Sequence, residues 1–153
     1  MLVYRLSKKK FSTVLSGEGA AITGGRWNSK GNAVIYTSNN CALSLLEKYV
    51  HLPSGIMPKD FVMISIHIPN EVSRKKIDIK TLPPDWQNTG EIKKTKMIGD
   101  NFVARNSACI LQVPSAIVPR EFNYLINPDH PDFSKIKIVE RFTFPFDDRL
   151  FNQ

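Results

Sequence analysis

Cysteine is scarce: only Cys41 and Cys109 occur in 153 residues, and no Cys-x-x-Cys spacing is present. A disulfide framework and a zinc knuckle are both excluded, and the apolar neighbours of each thiol predict buried, reduced cysteines. Long apolar runs are lacking as well, since none exceeds four residues, as in Phe61 to Ile64. The N-terminus reaches Arg5 and Lys8-Lys9-Lys10 without a hydrophobic segment. Together these predict no membrane span and a cytosolic (cytoplasmic) location. His51, His67 and His130 are far apart and have no neighbouring ligands at metal-binding spacing, so no metal site is expected. Gly17-x-Gly19 lacks the third glycine of a dinucleotide fingerprint, and neither a Walker phosphate loop nor a Gly-x-Ser-x-Gly elbow occurs. Ordinary nucleotide folds and serine hydrolases lose ground.

What is present is one domain's worth of chain, 1–153, 42% of it hydrophobic, enough for a core that needs no staples. Lys and Arg number 21 against 14 Asp and Glu, a net charge of +7 that favours anionic partners. Glycine and proline are scattered, and neither a repeat nor a linker stands out.

Leu2 to Arg5 and Ala33 to Thr37 read as short strands. Asn39 and Asn40 offer an N-cap to a helix whose apolar stripe is Ala42, Leu45, Leu46, Tyr49 and Val50, ended by Pro53 and Gly55. Phe61 to Ile68 alternates, with Ile64, Ile66 and Ile68 on one face and Ser65 and His67 on the other. Leu82-Pro83-Pro84-Asp85-Trp86 predicts a loop. Glu91 to Asn106 fits a helix with Gly99 in its middle, through Ile92, Ile98, Phe102 and Val103. Cys109 to Val113 predicts a strand, and Ile136 with Ile138, then Phe142 with Phe144, predict closing strands. The expected class is mixed α/β (α+β), a β-rich core with a few flanking helices.

Gly24-Gly25-Arg26-Trp27-Asn28 is the first dense polar and aromatic cluster. Two readings are open: paired glycines admitting a ligand to the planar fork of Arg26, or a glycine turn in which Arg26 caps carbonyls. Tyr36 follows Arg26 by ten residues at a strand end, and Glu47 follows Tyr36 by eleven, one helical turn after Leu43. Taken singly, Tyr36 is also an ordinary core aromatic and Glu47 an ordinary solvated acid. Val113-Pro114-Ser115-Ala116 and Asn123-Tyr124-Leu125-Ile126-Asn127-Pro128-Asp129-His130 read as strand, turn and strand, with Ser115 bonding local backbone. No general base stands near Ser115 in sequence, which weakens a catalytic triad.

Taken in order, Tyr4-Arg5, Gly24 to Asn28, Tyr36-Thr37-Ser38, Glu47, Leu82-Pro83 with Trp86, Ile98-Gly99-Asp100, Val113 to Ala116, Asn123 to His130 and Asp148-Arg149-Leu150 resemble the RES domain, across nearly the whole chain. Phe102 departs from the family's usual Trp, which alters a pocket wall, and Asp147-Asp148-Arg149 departs from Asp-Pro-Arg in the terminal turn. The resemblance implies an ADP-ribosyltransferase-like fold and a bacterial toxin of a type II toxin–antitoxin pair that consumes NAD. It implies a cleft of Arg26, Tyr36 and Glu47, with Ser115 and Asn123 as further substrate-binding residues. NAD would then be the substrate and no cofactor is expected. The implied partner is a cognate antitoxin with a helix-turn-helix region.

Those residue types suit the chemistry. Cleaving the nicotinamide–ribose bond builds an oxocarbenium-like cation that a carboxylate stabilises, and Glu47 is the choice for it. Arg26 would hold phosphates or ribose, Tyr36 would stack on nicotinamide, and Ser115 would orient a polar edge of the ligand. Phosphorolysis, hydrolysis and ADP-ribosyl transfer to a protein all remain open. A nucleic-acid-binding or ribonuclease toxin competes through Lys8-Lys9-Lys10, Arg74-Lys75-Lys76 and Lys93-Lys94 with Lys96, but these runs lack interleaved aromatics, so no direct nucleic-acid partner is expected. A purely structural module leaves the Arg, Tyr and Glu set unexplained.

Overall fold

The computed structural model describes residues 1–52, 59–88 and 93–151. Among them, seven strands form one sheet: β1 Leu2–Lys8, β2 Ile35–Ser38, β3 Phe61–His67, β4 Arg74–Lys76, β5 Ile110–Pro114, β6 Phe122–Ile126 and β7 Lys137–Thr143. Their order is β4-β5-β6-β2-β1-β3-β7. Three helices flank it, α1 Glu18–Thr23, α2 Cys41–Tyr49 and α3 Lys93–Arg105. The class is mixed α/β and β-rich, as the alternation in sequence predicts. No described helix is long and apolar enough to cross a membrane.

The sheet has two halves. β1 pairs antiparallel with β3 along its full length, from Leu2 opposite His67 to Lys8 opposite Phe61. On its other side β1 meets β2 only where Tyr4 faces Ser38. The two strands then diverge, and other groups satisfy the backbone polar atoms that the missing ladder leaves. The Leu6 amide donates to Ser44 Oγ of α2 at 2.9 Å, and Arg5 Nη1 donates to the Tyr36 carbonyl at 3.2 Å. Helix α2 therefore sits at the point where the sheet opens.

Apolar side chains are buried on both faces. Ile110 and Ile126 join Val3, Ile64 and Ile66 in one cluster, while their strand neighbours Leu111 and Leu125 join Trp27, Trp86 and Phe102 in a second. The one-residue step between clusters is the strand alternation itself. Leu6, Phe61 and Met63 form a third cluster with Cys41 and Leu45 of α2.

Several boundaries differ from the sequence expectations. β1 runs to Lys8, and β2 begins at Ile35 instead of Ala33. β3 ends at His67 and buries Ser65 as well as its isoleucines, because β1 and β7 flank it and both faces are covered. The closing alternation is one strand, β7, with Ile136 before it and Phe144 beyond it. In α2 the buried residues are Leu43 and Ser44, whereas Leu46 and Val50 of the expected stripe are exposed. The hydrogen bond from Leu6 to Ser44 turns the helix to that phase. It ends at Tyr49 with Val50 as its C-cap, and Pro53 and Gly55 lie outside the described residues. Glu91 and Ile92 of the expected third helix also lie outside them. Both cysteines are free thiols: Cys109 is buried and burial pushes it up to about 12, whereas Cys41 is only half-buried.

Gly99 explains how α3 can carry a glycine at its centre. A Cβ there would stand 1.6 Å from the Trp27 carbonyl oxygen, so only glycine lets the helix approach that backbone. Gly99→Ala should therefore destabilise the fold by about 1–3 kcal/mol despite alanine's better helix propensity. Urea unfolding measures this, and a variant as stable as the parent would contradict the packing.

Candidate functional site

Glu47 sits on α2, whose first turn is fixed by Asn40: its side-chain oxygen accepts the Leu43 amide at 2.7 Å. One turn after Leu43, the half-buried Glu47 carboxylate reaches across to the β5–β6 connection. Its Oε1 accepts from Ser115 Oγ at 2.8 Å and from Asn123 Nδ2 at 2.5 Å. Among the described residues Oε2 takes part in no hydrogen bond. One oxygen is thus anchored by two neutral donors, and the other keeps its lone pairs.

Both donors are themselves held. Ser115 is buried at the end of β5, where its Oγ accepts the amides of Ile117 at 3.1 Å and Val118 at 3.0 Å. The turn that the sequence suggests for Ser115 is present. With both lone pairs occupied, its proton goes to Glu47, so the hydroxyl has no capacity left to orient a ligand edge directly. Asn123 is buried on β6 and accepts from Ser38 Oγ at 2.7 Å through Oδ1, which points its Nδ2 toward Glu47. Ser38 stands directly opposite Asn123 in the β2–β6 register. It positions the amide, a role that sequence reasoning missed. The Tyr36-Thr37-Ser38 tripeptide contains it, but only the cross-strand register reveals what it faces.

Tyr36 is fixed just as fully. Its hydroxyl donates to Asn28 Oδ1 at 2.7 Å and accepts the Trp27 amide at 3.0 Å. Burial raises the phenol well above its ordinary pKa, with the Asp100 and Glu47 charges adding to the rise and the Trp27 amide and Arg26 opposing it. The hydroxyl stays protonated and committed, so what Tyr36 can offer a ligand is its ring face. A Cβ on Gly25 would lie 2.6 Å from that hydroxyl, which accounts for one of the paired glycines. Buried Asn28 completes the brace by donating through Nδ2 to the carbonyls of Ala20, Ser29 and Asn32.

Arg26 leaves this loop between buried Trp27 and its glycines. Its Nη1 donates to the Trp86 carbonyl at 2.6 Å and the Asn88 carbonyl at 3.3 Å, and its Nη2 to the Gln87 carbonyl at 3.1 Å. This is the carbonyl-capping reading of the sequence. It does not exhaust the group, since a guanidinium has five N–H donors, leaving Nε–H and one Nη2–H. Burial lowers the Arg26 pKa and the negative charge of Glu47 opposes that shift, and both groups also act on Tyr36, so the three side chains lie within electrostatic reach of one another.

Asp100 on α3 locks the loop from behind. It accepts the Ser29 amide at 2.8 Å, Ser29 Oγ at 2.6 Å and Asn32 Nδ2 at 2.6 Å. Burial pushes its carboxyl up, but the hydrogen bonds from Ser29 and Asn32 outweigh this and hold it below the usual range. Asn28 and Asp100 were visible in sequence only as parts of short motifs, and their roles required the fold.

A cavity of about 690 Å³ meets this group at Ser115, while Arg26, Tyr36, Glu47 and Asn123 are not among the residues that line it. Ser115, the anchor of Glu47, forms part of its wall, as do Trp86 and Gln87, whose carbonyls Arg26 holds. Its charged lining is balanced, Lys76 and Arg120 against Asp78 and Glu121. The positive excess of the chain therefore does not gather in this cavity.

Residues 2–147 match the family model of the RES domain. Over 153 residues the chain is 39% identical to the protein named Toxin Res of Photorhabdus laumondii, spanning 98% of this chain and 97% of that relative. Over 138 residues it is 39% identical to the Prs ADP-ribosylating toxin of a Sphingobium species, spanning 89% and 86% of the two chains. Its fold matches that in the crystal structure of the M. tuberculosis MbcT-MbcA toxin-antitoxin complex with a TM-score of 0.75 over 98% of this chain and 86% of that one, at 16% sequence identity. The extent of the family match and the two relatives agree: this chain belongs to the RES domain family.

Proposed function

We propose that the chain is the toxin of a type II toxin–antitoxin pair and that it cleaves the nicotinamide–ribose bond of NAD, depleting the cell's pool and arresting growth. The observation that carries this reading is the Glu47 carboxylate: one oxygen fixed by Ser115 and Asn123, the other unengaged among the described residues, with Arg26 and Tyr36 within electrostatic reach. The names of the relatives support the toxin assignment.

The chemistry follows from the geometry. Departure of nicotinamide leaves positive charge on the ribose, and a carboxylate fixed before the reaction stabilises that charge without reorganising. Anchoring by neutral donors keeps Glu47 oriented and leaves its negative charge uncompensated. A cation in that anchoring position would have cancelled the field the reaction needs. Tyr36, its hydroxyl committed, would present its ring to nicotinamide. The two unused N–H donors of Arg26 would meet the diphosphate or a ribose hydroxyl.

Transfer of the ADP-ribosyl group to a protein is the second reading, and the name of the Sphingobium relative favours it. Both begin with the same bond cleavage and differ in the acceptor. Incubating the purified protein with NAD, with and without inorganic phosphate and with candidate protein acceptors, separates them. ADP-ribose 1″-phosphate marks phosphorolysis, free ADP-ribose hydrolysis and labelled protein transfer. Absence of released nicotinamide under every condition would contradict both. In the active assay Glu47→Gln, which keeps both anchoring hydrogen bonds and removes the charge, should lower turnover about 10²- to 10³-fold with the fold intact. Cleavage at the parent rate would reduce Glu47 to a structural residue.

Restraint follows from the activity, because an enzyme that destroys NAD harms its producer unless a partner blocks it. The proposed partner is an antitoxin with a helix-turn-helix region that inserts an acidic or carboxylate-ended segment near Arg26. The isolated complex should be inactive and recover NAD cleavage once the partner is stripped at high salt. Full activity in the intact complex would refute occlusion.

A further inference from the structure

We propose that the C-terminal segment, from Phe144 to Phe151, clamps the last turn of α2 and thereby positions the Glu47 carboxylate, with Tyr49 as the residue it grips. The consequence for turnover rests on the reading of the chain as an NAD-cleaving enzyme. Helix α2 is only nine residues long, too short to hold its shape unaided. Its first half is tied down by the Asn40 cap and by the bond from the Leu6 amide to Ser44. Its last turn carries Glu47 and Tyr49, ends at Val50 without a glycine cap, and makes no hydrogen bond to the backbone of the sheet among the described residues. A helix end of that kind frays, and a carboxylate that must be fixed before the reaction needs a turn that does not.

The clamp comes from the far end of the chain: Tyr49 donates its hydroxyl to the Leu150 carbonyl, 101 residues on. Its ring also meets that of Phe151, which is buried, with 5.5 Å between centroids. Leu150 closes a single 3-10 turn, Asp148–Leu150, in which Asp147 accepts the Arg149 amide as the N-cap. Phe146 joins this turn to the core. Its ring stands edge-on to Phe151 at 5.8 Å, to Phe144 at 5.1 Å and to Phe61 of β3 at 5.9 Å. Phe61 in turn faces the Lys48 ammonium, 5.8 Å from the ring centroid. Lys48 and Tyr49, the two residues that follow Glu47, are therefore held by β3 and by the C-terminal turn.

Two variants loosen the clamp without emptying it. Tyr49→Phe removes only the hydroxyl, and Phe151→Leu keeps an apolar side chain in the buried position while removing the ring contacts. Each should lower kcat for NAD about tenfold with KM unchanged, because the carboxylate is displaced and the ligand contacts are not. In a Glu47→Gln background the same changes should cost almost nothing, since the charge they position is gone. A second readout needs no substrate: the Asn123 side-chain amide, which donates to Glu47, gives an NMR signal that both variants should shift toward its position in Glu47→Ala. Tyr49→Phe, which loses one hydrogen bond, decides the case if Phe151→Leu fails to fold. An unmoved Asn123 signal, turnover at the parent rate, or a loss that persists undiminished in Glu47→Gln would overturn the clamp. A shifted Asn123 signal in a protein that releases no nicotinamide would uphold the clamp and overturn the cleavage reading alone.

Discussion

The structure depends on a sheet that opens between β1 and β2. These strands are neighbours in the order and yet pair at one position, Tyr4 with Ser38. Past that point backbone groups need new partners, because an unpaired buried amide is costly. Ser44 of α2 takes the Leu6 amide, and Arg5 takes the Tyr36 carbonyl. The helix is thereby drawn to the opening, and its flank carries Glu47 to Ser115 and Asn123 at the far half of the sheet. Placement of the carboxylate is a consequence of how the sheet is satisfied where it divides.

A second constraint acts on the loop that carries Arg26. Close approach of α3 at Gly99, the Asp100 hydrogen bonds and the Asn28 brace hold its backbone on three sides. Tyr36 is fixed by the same loop, through Trp27 and Asn28. Arg26 and Tyr36 are thus one unit, and Glu47 with its donors another. The two units lie within electrostatic reach of each other, and no salt bridge joins them among the described residues, so Glu47 Oε2 and the two unused N–H donors of Arg26 stay available to a ligand.

Much of this was legible in the chain. The Asn40 cap, the strands β3 and β5, and the Ser115 turn are local, and local residue chemistry predicts them. The phase of α2 was not, because Leu46 and Val50 look like core residues until the bond from Leu6 to Ser44 decides which face turns inward. Arg26 presented two readings, ligand fork or carbonyl cap, and the choice depended on residues about sixty positions away, Trp86 to Asn88. Ser115 and Asn123 were expected at the site as groups for the ligand. The structure shows them holding the carboxylate, a distinction that spacing cannot carry because it rests on which atoms already have partners.

That distinction is the central claim, and a double-mutant cycle in turnover tests it most directly. If Asn123 acts through Glu47, Asn123→Ala should slow NAD cleavage in the parent and cost almost nothing further once Glu47→Ala is present, because the residue it orients is gone. Losses that simply add, with Asn123→Ala as damaging without the carboxylate as with it, would show that Asn123 acts on the ligand independently and would contradict the account.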